Sequence, residues 1–146
     1  MAPTSSLADI AHIIQLAIAP VFLLTAVGTL LSVLTGRLAR AVDRRRALMS
    51  VMPELDDGLA DLAAREVAYE IRRTRLIYIA ITAAVVSALL VAALISIAFI
   101  DAFIAMDLAK LIAAMFILAM IALMASLTVF LREIFLAVNS PRAPLR

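Results

Sequence analysis

The sequence has no cysteine and no tryptophan, one histidine and three glycines in 146 residues. Without cysteine there are no disulfides, thiolate metal sites or thiol nucleophiles. A lone imidazole cannot assemble a structural or catalytic zinc site, so neither a metal nor an organic cofactor is expected. No G-x-S-x-G, H-E-x-x-H, phosphate-binding loop or dinucleotide fingerprint occurs, and the reading is therefore of a protein that is not an enzyme. Charge is missing where it matters most. Asp, Glu, Lys and Arg are all absent from Ile10–Gly36, Leu76–Ile100 and Leu111–Leu131. The lack of a carboxylate inside these runs counts against an ion-coupled transporter, which commonly places an ionisable group in the membrane interior.

Apolar residues dominate what is present, making up 66% of the chain, with a mean hydropathy of +1.12. Both values lie outside the range of soluble domains. The three uncharged runs contain 27, 25 and 21 residues, and about 20 suffice to cross a ~30 Å hydrocarbon core at 1.5 Å per residue. They are apolar on every side, without the alternation of a barrel strand. The fold class is all-α: three transmembrane helices with a cytoplasmic helical hairpin formed by extensions of helices one and two. A single integral membrane domain covers residues 1–146, with spans near 10–36, 76–100 and 111–131, a hairpin at 37–75 and a loose tail at 140–146. The opening MAPTSSLADI has no Lys or Arg, unlike the n-region of a signal peptide, and predicts an uncleaved first span.

Basic residues fix an expected orientation. Nine arginines lie between Arg37 and Arg75, one lysine lies in the short link before the third span, and three arginines follow that span. The positive-inside rule then puts the hairpin and C-terminus in the cytoplasm and the N-terminus outside. Within the hairpin, Leu38, Ala41, Val42, Leu48, Met49 and Met52 fall on one helical side and Arg37, Arg40 and Arg44 on another. SVMPELDDG at 50–58 supplies a turn and an acidic helix start. Folding back near residue 53 would bring Arg44, Arg45 and Arg46 level with Asp56, Asp57 and Asp61, and Arg37 and Arg40 towards Glu66 and Glu70. Asp61 with Arg65 and Glu70 with Arg73 have the spacing of pairs within one helix. The link at 101–110 is short enough to make spans two and three antiparallel neighbours, with Asp107 as a cap for the third.

TGRLARAVDRRRAL packs five arginines into ten positions. Asp43 interrupts the block, no aromatic is interleaved, and the next helix carries six acids, so nucleic-acid binding is not expected. Arg37, Arg40, Asp43, Arg44, Arg72, Arg73 and Arg75 are candidates for lipid-headgroup or partner contact. Those nearest the spans lie at the level of anionic headgroups. Small residues recur every fourth position as Gly28, Ser32 and Gly36 in span one. Span two repeats this as Ala80, Ala84, Ala88, Ala92 and Ser96. Both patterns suit close helix packing, within one chain or between copies in a homo-oligomer. Pro20 removes a backbone donor and is the candidate kink. Asp9, Asp101 and Asp107 lie near the outer surface, where a ring of them would serve a cation pore.

The segment IIQLAIAPVFLLTAVGTLLSVLTGRLARAVDRRRAL, residues 13–48, resembles the opening of a bacterial membrane family known as domain of unknown function 2721. The likeness rests on Ala19 and Pro20 and on the R-L-x-R-x-x-D-R run of Arg37, Leu38, Arg40, Asp43 and Arg44, and extends more loosely over most of the chain. It implies a bacterial inner-membrane protein and brings no activity or site. The expectation is an integral membrane protein, a non-enzymatic oligomeric scaffold or interaction protein with a charged cytoplasmic hairpin. The alternative is a small oligomeric channel or transporter subunit. An inner-membrane-impermeant maleimide should label a cysteine placed at Ala105 and spare one placed at Gly58. The opposite labelling pattern would overturn the orientation.

Overall fold

The computed structural model describes residues 4–54, 56–104 and 108–138, with side chains from residue 14 onward except those of 16, 17, 57 and 102–104. Three helices account for nearly all of them: α1 (Thr4–Val51), α2 (Asp57–Ile104) and α3 (Ala109–Val138), with a 3-10 turn at Met52–Glu54 between the first two. No strand occurs among the described residues. All three helices are long and apolar enough to cross a membrane. α1 continues through Pro20, and Pro20 itself is buried.

Local chemistry sets the helix ends. The backbone carbonyl of Asp56 accepts the first intrahelical bond of α2, from the Ala60 N–H at 2.8 Å, which makes Asp56 the N-cap residue. Leu108 occupies the same position for α3, its carbonyl accepting from Ile112 at 3.0 Å. The Leu108 N–H, left over by the helix, donates to the Asp101 carboxylate at 3.3 Å. Asp101 therefore ties the end of α2 to the start of α3. Asp107, expected as this cap, lies outside the described residues, as do the side chains of Asp9 and His12 and the tail at 140–146.

The chain forms two compact units, Met1–Leu31 with Ala83–Met124, and Ser32–Thr82 with Ala125–Arg146. Each takes a segment from every helix. In the first unit Val91, Leu94 and Ala119 are buried under Leu23, Leu24, Leu90, Ile95, Ile112 and Met115. Ser87 Oγ is fully buried there and donates to the Ala119 carbonyl at 2.8 Å, joining α2 to α3. In the second unit the direction is reversed, with buried Ser126 of α3 donating to the Ala80 carbonyl of α2 at 2.7 Å. Each serine satisfies its hydroxyl and lets two backbones approach closely. Within the second unit the pairs 80 with 126 and 73 with 133 run antiparallel, as the short α2–α3 link requires.

Burial follows a period of seven. On α1 the buried positions from residue 14 onward are Pro20, Val27, Leu34, Ala41 and Leu48. On α3 they are Ala119, Ser126 and Glu133, and on α2 they advance by threes and fours from Ala63 to Leu94. This is the spacing of knobs-into-holes seams. The four-residue alanine stripe therefore does not stay in the seam. Ala80 and Ala84 are fully buried, Ala88 is half-buried, and Ala92 and Ser96 are exposed. In the hairpin Ala41 and Leu48 are buried and Leu38, Val42 and Met52 half-buried, but Met49, one residue beyond the heptad position, turns outward.

Lipid tails are as apolar as leucine, so burial in such a seam is favoured by packing rather than by transfer from water. Replacing fully buried Leu34 by alanine leaves a cavity, and about 2 kcal/mol should be lost, the low end for leucine truncation. Val33→Ala, at a site 47% exposed, should change stability by less than ~0.5 kcal/mol. Reversible unfolding in mixed SDS micelles measures both; equal effects would contradict the seam.

Candidate functional site

The second unit carries the protein's polar core. Glu133 of α3 is completely buried and has an arginine on each carboxylate oxygen. Arg73 of α2 places Nε 2.5 Å from Oε1, and Arg37 of α1 places Nε 2.8 Å from Oε2. The Arg73 contact is an aligned hydrogen bond, whereas the Arg37 contact is close in distance but off-line, leaving both of its atoms outside hydrogen-bond geometry. Arg37 also lies over the Phe130 ring, 5.5 Å from its centroid, a distance at which the ring quadrupole attracts the cation. One carboxylate thus binds all three helices.

Two further ion pairs extend this core along the hairpin. Arg73 reaches Glu70 through Nη1 at 3.5 Å, and Arg44 grips Glu66 through Nε and Nη2, both at 2.8 Å from Oε1. Glu66 and Glu70 are nearly fully buried. Charge balances within the group, three arginines against three glutamates. Buried without a protein hydrogen-bond partner are Tyr69 Oη, Glu70 Oε2, Thr74 Oγ1 and Arg45 Nε. Groups of that kind normally take ordered water.

The pairing of 37 with 73 around Glu133, and of 44 with 66, fixes the antiparallel register of α1 and α2. It corrects the register expected from a fold-back near residue 53, in which Arg44 faced Asp56, Asp57 and Asp61 and Arg37 approached Glu66 and Glu70. α1 remains helical to Val51, the 3-10 turn takes residues 52–54 and α2 begins at Asp57, so the turn is centred further along and every cross-pair moves. The pairs internal to α2 stand where spacing put them, Asp61 with Arg65 at 3.0 Å and Glu70 with Arg73.

Of the other candidate contact residues, Arg40, Asp43, Arg72 and Arg75 are exposed, and no ion pair joins Arg40 to Asp43. Gly28 and Ser32 are exposed and Gly36 is half-buried. Glu133 was not singled out in the sequence because the third uncharged run stops at Leu131. The signal available was its place seven and fourteen residues after Ser126 and Ala119. Among the described residues no group of three or more His, Cys, Asp or Glu side chains is arranged to hold a metal ion.

Glu133→Gln should be the costliest conservative change in the polar core, since it leaves the Arg37 and Arg73 cations facing a neutral amide in a mostly buried site. About 3 kcal/mol should be lost, at the low end for breaking a buried pair because both arginines keep some solvent. Asp61→Asn, which breaks an exposed pair, should cost under ~1 kcal/mol. SDS unfolding compares them directly, and equal small losses would show that Glu133 does not hold the helices together.

No curated protein matches the chain, and no solved structure does so either. A family model described as a protein of unknown function (DUF2721) matches residues 17–143. That match takes in α1 from residue 17 onward, all of α2 and α3, the ion-paired hairpin and Glu133, and the chain belongs to this family.

Proposed function

We propose that the protein is a non-enzymatic membrane scaffold that self-associates through α1 and offers its charged hairpin to a protein partner in the cytoplasm. The basic residues concentrated between the first two spans support that orientation, and the family resemblance supports a bacterial inner membrane. The observation that carries self-association is the outward face of α1 in the first unit. Thr25, Gly28 and Thr29 are all exposed there, and a Cβ added to Gly28 would meet nothing within 4 Å. Both threonine hydroxyls donate back to their own helix, Thr25 to the Val21 carbonyl at 3.4 Å and Thr29 to the Thr25 carbonyl at 3.1 Å. The face is therefore small, shallow and free of unsatisfied hydroxyls, which suits close approach of a second helix. Ala80 and Ala84, the other small residues of note, are already used within the chain.

A channel reading gains nothing comparable. The core of the first unit is Val91, Leu94 and Ala119 under apolar neighbours, so a polar path for ions would have to run between several copies.

Gly28→Leu tests the scaffold reading cleanly, because open space around Gly28 leaves the chain's own packing untouched. The protein in lipid nanodiscs should have the mass of a closed oligomer once lipid is subtracted. The variant should shift to monomer without loss of helicity or of its SDS unfolding midpoint. A monomeric natural chain, or an oligomer indifferent to Gly28→Leu, would remove the proposal.

A further inference from the structure

We propose that Arg40, Arg72, Arg75 and Arg132 form a collar on the second unit that binds the phosphate groups of anionic lipids. The inference rests on the reading that the three uncharged runs cross a bilayer. Its basis is how the structure sorts the arginines. Around the ends of the spans, Glu133 is taken by Arg37 and Arg73, Glu70 by Arg73 and Glu66 by Arg44. Every acid buried in this region is thereby neutralised from within. Arg40, Arg72, Arg75 and Arg132 are exposed and enter no ion pair among the described residues, so four positive charges face outward.

The register brings these four within ~8 Å of one another along the helix axes. Residue 37 meets 73 across Glu133, so Arg40 of α1 is within a turn of Arg72 of α2 and about a turn and a half from Arg75, and Arg132 is next to Glu133 itself. All three helices contribute. The same level is the edge of the apolar runs, which end at Gly36, start at Leu76 and end at Leu131. Tyr78, one turn inside Arg75, is 55% exposed, as aromatic side chains are at the bilayer interface. The Arg40 guanidinium folds back towards the span, its Nη1 3.8 Å from where a Gly36 Cβ would stand. Asp43 is the nearest exposed acid and lies a turn further from the apolar run. Planar guanidinium groups bind phosphate through paired N–H donors. Lipid phosphate is favoured over an acidic protein because the collar borders exposed apolar surface, including Ile71 and Tyr78.

Native mass spectrometry of the full chain, released from mixed micelles of phosphatidylglycerol and phosphatidylcholine, reads the bound lipid directly. Phosphatidylglycerol should be retained in preference. Each of Arg40→Gln, Arg72→Gln, Arg75→Gln and Arg132→Gln should weaken it roughly fivefold, and the fourfold variant should abolish the preference. Arg46→Gln with Arg65→Gln, nearer the hairpin tip, should leave it unchanged. The single variants keep the measurement decisive if the fourfold one fails to fold. No preference in the natural chain, unchanged retention in the collar variants, or equal loss in the tip variant would each overturn the collar. The same spectra give the oligomer mass. A monomer with selective lipid loss would uphold the collar while removing the self-association reading.

Discussion

A carboxylate with no exposure to water has to be given counter-charge by the protein, and in this chain that requirement organises the second unit. Glu133 stands fully buried on α3, and the two cations that satisfy it come from α1 and α2. Neither hydrophobic seam nor helix propensity demands this choice, since an apolar residue at 133 would pack without any such condition. With glutamate there, the helices have one register in which Arg37 and Arg73 both reach it. Buried ion pairs are weak evidence for stability and better evidence for specificity of arrangement. The arrangement here also decides which arginines remain available to the outside.

The apolar part of the molecule carries much less directional information. Its seam repeats every seven residues on α1 and α3, and a shift of α3 by seven would again place apolar or small side chains against α2. The reciprocal bonds from Ser87 and Ser126 narrow the options, each demanding a close backbone carbonyl on the other helix. Residues 73 and 133 continue the register of 80 with 126, so the ionic site and the serine bond in the second unit agree. Local preferences that point to one arrangement leave few competitors for it.

Much of this architecture is legible in the residues. Absence of charge over three long runs gives the three helices, and the short link gives the antiparallel packing of α2 on α3. Asp61 with Arg65 and Glu70 with Arg73 follow from spacing alone, because pairs within one helix need no tertiary knowledge. Pairs between helices were out of reach for a definite reason. A hairpin register depends on where the turn is centred, and the few residues of helix that α1 retains beyond the arginine block move Arg44 from the acids at the turn to Glu66. Glu133 was hidden by a similar effect, since hydropathy ends a span at its first charge while the helix itself runs on to Val138. The alanine stripe leaves the chain's own seam because a period of four drifts away from a period of 3.5 within two turns.

One consequence of the Glu133 contact concerns time. A ribosome completes residues 37 and 73 well before residue 133. Until α3 is made, the two arginines have not yet met the carboxylate that later joins them. Arg37 is then a bare cation, and Arg73 has only Glu70. Arrival of α3 afterwards cancels part of that charge from within. Two residues that begin without this carboxylate thus become internal fasteners once the chain is complete.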